Sequence, residues 1–197
     1  MKILLNLAAM AIAAMALAGC GTATQEIKAK SESEQTDVFS EVKEDEIIPK
    51  GFADIIIKSS IKTHLEKHYL VELKDTLHGK PIYPFLINID GQSAIWEVKS
   101  QVEDIPEYAD GGQKNPEGGK GMRYILNKRI RLKPGLHRIF LGLPGENRSK
   151  EFAITTEDGR VYNLEIKPIY NRYRYEGSRF ERGVDRIEVF LNGIPIQ

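Results

Sequence analysis

Five spacings in this 197-residue chain could carry chemistry. Ser59-Ser60-Ile61-Lys62 sets a lysine three residues after a serine, the spacing at which an amine takes the proton of a serine nucleophile when both share a helical face. His64 and His68 flank Glu66, and histidines four apart on a helix form a metal pair. The run from Gly111 to Gly121 is glycine-rich with a Gly119-Lys120 step, as in loops that cradle phosphate. Glu103, Asp104, Glu107 and Asp110 could pair as carboxylates for glycoside chemistry or hold calcium loosely. Finally, Tyr170-Asn171-Arg172-Tyr173-Arg174-Tyr175 is followed by Arg179, Phe180 and Arg182. Guanidinium forks pair with carboxylate or phosphate, and phenol rings pack on sugar faces.

The elements that must position these residues remove most of that chemistry. From Asp54 the apolar period is two: Ile55, Ile57, Ser59, Ile61, Thr63 and Leu65 fall on one side, and Lys58, Ser60, Lys62, His64 and Glu66 on the other. A helical match through Ile57, Ile61, Leu65 and Tyr69 is shorter, and β-branched residues crowd the segment. On a strand, residues three apart point to opposite faces, so Ser59 and Lys62 do not meet. No Lys-Thr-Gly or Ser-Asp-Asn accompanies them. His64 and His68 on a strand and its turn need not converge, and no third ligand is signalled. The glycine run has Lys114 and Gly121 where a phosphate loop needs Gly and Ser or Thr, so it reads as a flexible loop. The four acids share that loop and have no rigid wall behind them. His137 lies on the face of Ile139 and Leu141 as a turn or core histidine, and His78 sits in a loop beside Gly79. No catalytic set, metal or cofactor is expected, and the chain reads as a non-enzyme.

The two-beat recurs after each turn signal, in Tyr69–Lys74, Phe85–Asp90, Ala94–Lys99, Arg129–Lys133, His137–Leu141, Phe152–Thr156, Tyr162–Ile166 and Ile187–Leu191. Phe140 and Leu143 blur it. Asp158-Gly159 and Asn192-Gly193 are good turns because these residues accept positive φ. Many short strands between Gly, Pro, Asn and Asp predict an all-β fold, a single antiparallel β-sandwich of immunoglobulin-, transthyretin- or PEGA-like kind over residues 51–197. Ser100–Gly121 is a long gap, either functional or mobile. One cysteine excludes a disulfide framework, 41 % apolar content excludes a wholly disordered chain, and zero net charge argues against nucleic acid as a partner.

Lys2 precedes an apolar run from Ile3 to Ala18 that ends in Leu17-Ala18-Gly19-Cys20. This resembles the bacterial lipobox. The resemblance implies a lipoprotein signal peptide over 1–19, cut before Cys20, and palmitate-type lipid on Cys20 that anchors the chain to a membrane. Gly21 stands where an inner-membrane retention signal would have Asp, which points to the outer membrane, facing the periplasm or surface, in a cell with two membranes. Residues 21–50 hold four lysines against eight acids, net −4, and read with Cys20 as an acidic, flexible tether over 20–50, in which Val38, Phe39, Val42, Ile47 and Ile48 could instead dock on the domain or form a short helix.

Three landmarks follow in order: Ile87-Asn88-Ile89-Asp90-Gly91, then Leu132-Lys133-Pro134-Gly135-Leu136-His137-Arg138-Ile139, then Gly159-Arg160-Val161-Tyr162-Asn163-Leu164. Together they resemble the PEGA-type β-sandwich modules of envelope lipoproteins, without the Thr-Pro after Asp-Gly and with an extra loop at 100–121. The resemblance implies a non-enzymatic envelope module.

All 11 arginines lie after residue 122. Residues 51–122 hold eight lysines against 11 acids, net −3, whereas 123–197 hold 15 basic residues against nine acids, net +6. Arg172, Tyr173, Arg174, Tyr175, Arg179 and Arg182 are therefore the candidate binding residues. They read either as a site for an anionic envelope glycan or partner protein, or as an edge strand kept from aggregating by charge. The functional expectation is a lipid-anchored binding or scaffolding module of the cell envelope. Its alternatives are an envelope hydrolase assembled only in the fold, or a subunit of an envelope assembly or secretion machine.

Overall fold

A computed structural model of the chain describes residues 23–32, 35–72, 76–173 and 177–196. The signal segment and Cys20 lie outside them. One helix, α1 (Ala23–Ser31), precedes twelve strands: β1 (Phe39–Val42), β2 (Ala53–Thr63), β3 (Ile82–Ile89), β4 (Gln92–Ile105), β5 (Gly119–Leu132), β6 (Gly135–Leu143), β7 (Arg148–Thr156), β8 (Val161–Tyr170), β9 (Arg172–Tyr173), β10 (Gly177–Ser178), β11 (Val184–Leu191) and β12 (Ile194–Ile196). The period-two residues face the core. Ile55, Ile57, Ser59 and Ile61 of β2 are buried while Lys58 is exposed, and Phe152, Ile154 and Thr156 alternate with exposed neighbours on β7.

Ten of these strands form one sheet in the order β12-β11-β8-β2-β5-β4-β3-β6-β7, with β1 paired to β5. The expectation of all-β structure holds; that of a two-sheet antiparallel sandwich does not. The 14-residue β4 pairs with β3 over Gln92–Lys99 and with β5 over Ser100–Ile105. One long strand thus carries the ladder around the corner where a sandwich would break into two sheets. The sheet curls until β7 faces β11 and β12. There Arg148 Nε donates to the Val184 carbonyl at 3.1 Å and Lys150 Nζ to that of Ile196 at 3.3 Å, giving a nearly closed barrel. Nor is the sheet wholly antiparallel, because β2 and β8 run parallel from Asp54↔Val161 to Ser59↔Ile166.

Strand directions assign each connection to one end of the barrel. At the lower end lie the short turns at Asp90-Gly91, 133–134, 157–160 and Asn192-Gly193. At the upper end lie 64–81, 106–118, 144–147 and 171–183. The expected long gap of 100–121 shrinks to 106–118. That loop is folded as a small hairpin, with Ala109 N to Gln113 O at 2.8 Å and Asn115 N to Glu107 O at 2.8 Å, where a flexible loop was expected. Tyr69–Glu72, expected as part of a strand, is a bent loop, and Leu73 and Lys74 fall outside the described residues.

The described part of residues 23–50 lies against the barrel. α1 runs down the outer wall with Ile27 buried on Leu86 and Phe140, and its ends are tied by Thr24 to Asn147 and by Asn88 Nδ2 to the Lys30 carbonyl. Phe39 is buried and pairs opposite Leu132. The Gln92 side chain accepts from the amides of Val38 and Phe39 and donates to the Phe39 carbonyl, so one amide group replaces a neighbouring strand. Trp96 Nε1 donates to Glu41 at 2.6 Å. Two apolar residues suffice to dock an acidic segment because the barrel wall already presents matching apolar and polar partners.

Candidate functional site

The site forms where β2 and β8 part company. After Ser59↔Ile166 the next residues of β8 are Lys167 and Pro168. Pro168 has no amide hydrogen to donate, and β8 follows β11 instead, with Ile187 opposite Pro168. β2 continues alongside β5 to Thr63↔Met122. The strands separate like an opened seam, and polar side chains fill its floor.

Lys62 and Arg123 are opposite each other on the outer face of the β2–β5 ladder, yet both are buried. Lys62 Nζ donates to the carbonyls of Glu117 at 2.8 Å and Gly119 at 2.6 Å, stands 3.4 Å from the Glu103 carboxylate and lies 4.8 Å from the centroid of the Phe180 ring. Arg123 reaches Glu103 at 2.6 Å, Glu117 at 2.7 Å and Ser60 Oγ at 3.1 Å. Tyr170 Oη accepts from the Lys62 amide at 2.9 Å and donates to Glu117 at 2.8 Å. Gly121 makes the cover possible: a Cβ there would lie 2.6 Å from the Thr63 carbonyl and 2.7 Å from Phe180. Two cations meet two carboxylates, so the floor is locally neutral and its charges are matched.

That pairing decides what the floor can do. Burial pushes the Glu103 carboxyl up, but the hydrogen bonds and charge of Arg123, with the charge of Lys62, bring it net below its usual 4.5. Burial opposes the Arg123 charge, and Glu117 and Glu103 more than offset it. Burial, with the charge of Glu117, raises the Tyr170 phenol well above its usual range. The carboxylate is thus ionised, the guanidinium locked between two acids and the phenol protonated near neutral pH. They make a rigid polar platform. Ser59 donates to the Ile166 carbonyl from the core side, away from Lys62, as strand geometry requires.

Above the platform a cleft of about 850 Å³ is lined by Asn115, Pro116, Glu117, Pro168–Arg172, Asp185 and Arg186. A second groove of about 570 Å³ lies on the outer wall between Lys58, Ser60, Ile125, Asn127, Glu165 and Lys167. Both are lined in part by Glu117, Pro168 and Ile169, so the two adjoin at the seam as a two-part channel. A register shift between Val184 and Arg186 leaves Asp185 unmatched in the ladder and turns it and Arg186 to the cleft.

The arginine and tyrosine segment is not an edge strand of the barrel. Its described part is a separate two-stranded hairpin, with Arg172 opposite Ser178 and Tyr173 opposite Gly177. Arg172 is exposed on the rim of the cleft. Arg179 turns onto Glu181 at 2.9 and 3.0 Å, and the Arg182 guanidinium stands 5.8 Å from the Tyr69 ring centroid. The three arginines therefore face three different neighbours. Arg174, Tyr175 and the side chain of Tyr173 lie outside the described residues. Lys62, Arg123, Glu117, Pro168 and Arg186 were not anticipated as site residues. The signal for them was a lysine and an arginine inside β-alternating segments, each with small or turn residues downstream.

The other candidates also find places. His64, His68 and His78 converge, with ring centroids 5.2 Å apart for His64 and His68 and 4.6 Å for His64 and His78. His64 Nδ1 lies 2.8 Å from the Leu65 carbonyl and His78 Nε2 lies 2.7 Å from Glu146. Among the described residues no three donors are set to hold a metal ion. His137 bridges Asp90 and the Lys133 carbonyl at the lower end. Of the four acids, Glu103 lies on β4 and joins the platform, where it shares Arg123 with Glu117.

Comparison with known proteins found no matching family model, no matching curated protein and no matching solved structure.

Proposed function

We propose that the chain is a lipid-anchored binding module of the cell envelope that holds an anionic, chain-like ligand across the seam. The observation that carries this reading is the pair of adjoining clefts: Pro168 and Ile169 line both, Lys58 lines one and Arg172 the other. Neither cation has an ion-pair partner among the described residues, in contrast to Arg123, Lys167 and Arg186 beside them. Two unsatisfied cations on adjoining clefts that share Pro168 and Ile169 suit a polymer with acidic groups on an otherwise weakly polar backbone, such as an envelope glycan rich in uronic acids. The lipobox at Leu17-Ala18-Gly19-Cys20 supports the location.

The test is retention on oligogalacturonate compared with a neutral oligoglucoside at low salt. Binding to the acidic chain should fall as salt rises, because exposed charges are screened within about 10 Å at 0.1 M. Equal retention of the neutral chain, or binding untouched by Lys58→Ala with Arg172→Ala, would end this reading.

A further inference from the structure

The upper end of the barrel carries a feature the channel does not use. Between Lys67 and Glu72 the loop projects Leu70 and Val71, which are 107 % and 91 % exposed. The tip is built rather than slack. Lys67 adopts a left-handed φ of 63°, and its amide and that of Tyr69 donate to the Glu72 carboxylate at 3.3 and 3.2 Å. Tyr69 packs edge-on against the stacked rings of His64 and His68, at 5.1 and 4.7 Å, and its hydroxyl donates to the Glu181 carbonyl at 3.1 Å. A loop held this firmly that presents two adjacent aliphatic residues to water calls for a partner.

The course of the chain says which partner. α1 begins at the same upper end, where Thr24 is hydrogen-bonded to Asn147 in the 144–147 connection, and Glu146 beside it contacts His78 of the tip's own cluster. Cys20 is three residues before Ala23, so the covalent chain can place it no more than about 11 Å away. With α1 docked here, that reach keeps any lipid on Cys20 near the end that carries Leu70 and Val71. The charges agree. Lys67 and His68 are exposed beside the tip, and Arg182 lies over Tyr69. Among the described residues the nearby acids are engaged, Glu66 by Lys80, Glu72 by backbone amides and Glu181 by Arg179.

We propose that the upper end of the barrel docks on a lipid bilayer, with Leu70 and Val71 entering the interface and Tyr69, Lys67 and His68 at headgroup level. This rests on the anchoring reading of Cys20 for its delivery, and on the tip alone for its contact. Aliphatic side chains in such a tip settle about 5–10 Å into the headgroup and acyl boundary, and cations beside them favour anionic lipid.

The experiment uses the full mature chain in vesicles of phosphatidylethanolamine with a minor share of phosphatidylglycerol, their acyl chains brominated. Leu70→Trp should emit further to the blue and be quenched about twofold, as an interfacial side chain would be. Trp96, which is 5 % exposed, should not respond in the parent protein, nor should Leu136→Trp at the lower end. Intact mass of the same preparation reports acylation of Cys20 separately. Unacylated Cys20 overturns the anchoring reading and leaves the tip to be judged by its own quenching. An unquenched Leu70→Trp, or equal quenching at Leu136→Trp, overturns the docking surface whatever the mass.

Discussion

The two ends of the barrel solve the same problem differently. On the outer face of the β2–β5 ladder each end buries an ionic cluster. At the lower end Asp54, with its side chain fully buried, sits between Arg129 at 2.6 Å and Arg131 at 2.8 Å, and the chain at 43–46 covers it through Arg129 contacts to the Lys43, Glu44 and Glu46 carbonyls. At the upper end Lys62 and Arg123 meet Glu103 and Glu117 beneath the 106–118 hairpin. The lower cluster is sealed beneath chain and holds the N-terminal segment to the barrel. The upper cluster floors an open channel. Around them, the lower connections are short turns at positive-φ positions such as Asp90, Gly91, Asn192 and Gly193, whereas three of the four upper ones are long, and those carry His64, His68, His78, Arg172 and the apolar tip. One end of this barrel is built to be closed and the other to be occupied.

The sharpest way to break that contrast is to empty the lower cluster. Asp54→Ala leaves two guanidinium groups without their shared carboxylate, and removing one partner of a buried ionic group costs about 3–5 kcal/mol. Urea titration of the full chain should show this loss, with β1 and the 43–50 segment losing amide protection with the rest. Equal stability of Asp54→Ala and parent would mean that chain cover alone holds the lower end. Lys62→Met at the upper end should cost less. Glu103 and Glu117 are about one-third exposed and regain water, so the loss is chiefly that of a donor to two carbonyls, about 1–3 kcal/mol. Hydrogen exchange should speed first at 115–121. A larger loss for Lys62→Met than for Asp54→Ala would reverse the assignment of closed and open ends.

Acidification should separate the ends as well. Burial lowers the His64 imidazole below 6.5; the Leu65 carbonyl and Glu72 oppose this, and the charges of His78 and His68 reinforce it. For Glu146 burial raises the carboxyl, and the His78 hydrogen bond and charge, the Val184 amide and Tyr83 together bring it net below 4.5. Both groups bind protons less readily folded than unfolded, so the stability they contribute is complete at neutral pH and is lost as pH falls. His64 withdraws support below 6.5 and Glu146 below 4.5. Exchange at 64–72 and 144–147 should accelerate on going from neutral to mildly acidic solution before exchange at 158–159 and 192–193 changes. His64→Phe should blunt the first step; uniform acceleration at both ends would contradict the contrast.

The lower end was largely legible in the sequence because its turns are local chemistry. Asp158-Gly159 and Asn192-Gly193 announce positive φ, and the alternating runs beside them needed only a core to face. The upper end was not, because its contacts join residues far apart in the chain, such as Glu117 with Tyr170 and His78 with Glu146. Tyr69–Glu72 imitated a strand because alternation alone does not distinguish burial from exposure. The docked N-terminal segment had a usable clue. Phe140 broke the alternation of β6, and it lies on the outer wall together with Leu86, where Ile27 of α1 covers both. An apolar residue on the wrong face of a strand signals an element that packs outside the sheet. Acidic composition concealed that element because only Ile27 and Phe39 of residues 23–42 are buried apolar anchors.

The smallest effect on stability is expected where the effect on function should be largest. Arg172 is exposed, makes no ion pair among the described residues and begins a two-stranded hairpin whose backbone pairing does not use its side chain. Arg172→Ala should therefore change unfolding free energy by less than about 0.5 kcal/mol, the range of surface substitutions remote from caps, cores and ionic clusters. The same change removes one of the two unpaired cations on the channel. If an acidic chain spans Pro168 and Ile169 from Lys58 to Arg172, then Arg172→Ala should weaken its binding and flatten the salt dependence. Arg172→Lys should restore part of both, keeping the charge and losing the fork. Arg186→Ala separates place from charge. Arg186 lines the same cleft but is already held by Asp185 at 3.4 Å and Glu188 at 3.0 Å, so its removal should alter binding less. Equal losses for Arg172→Ala and Arg186→Ala would mean that the cleft responds to its overall charge and that no single residue reads the ligand. No loss for either would move the ligand off the upper rim and onto the outer groove beside Lys58.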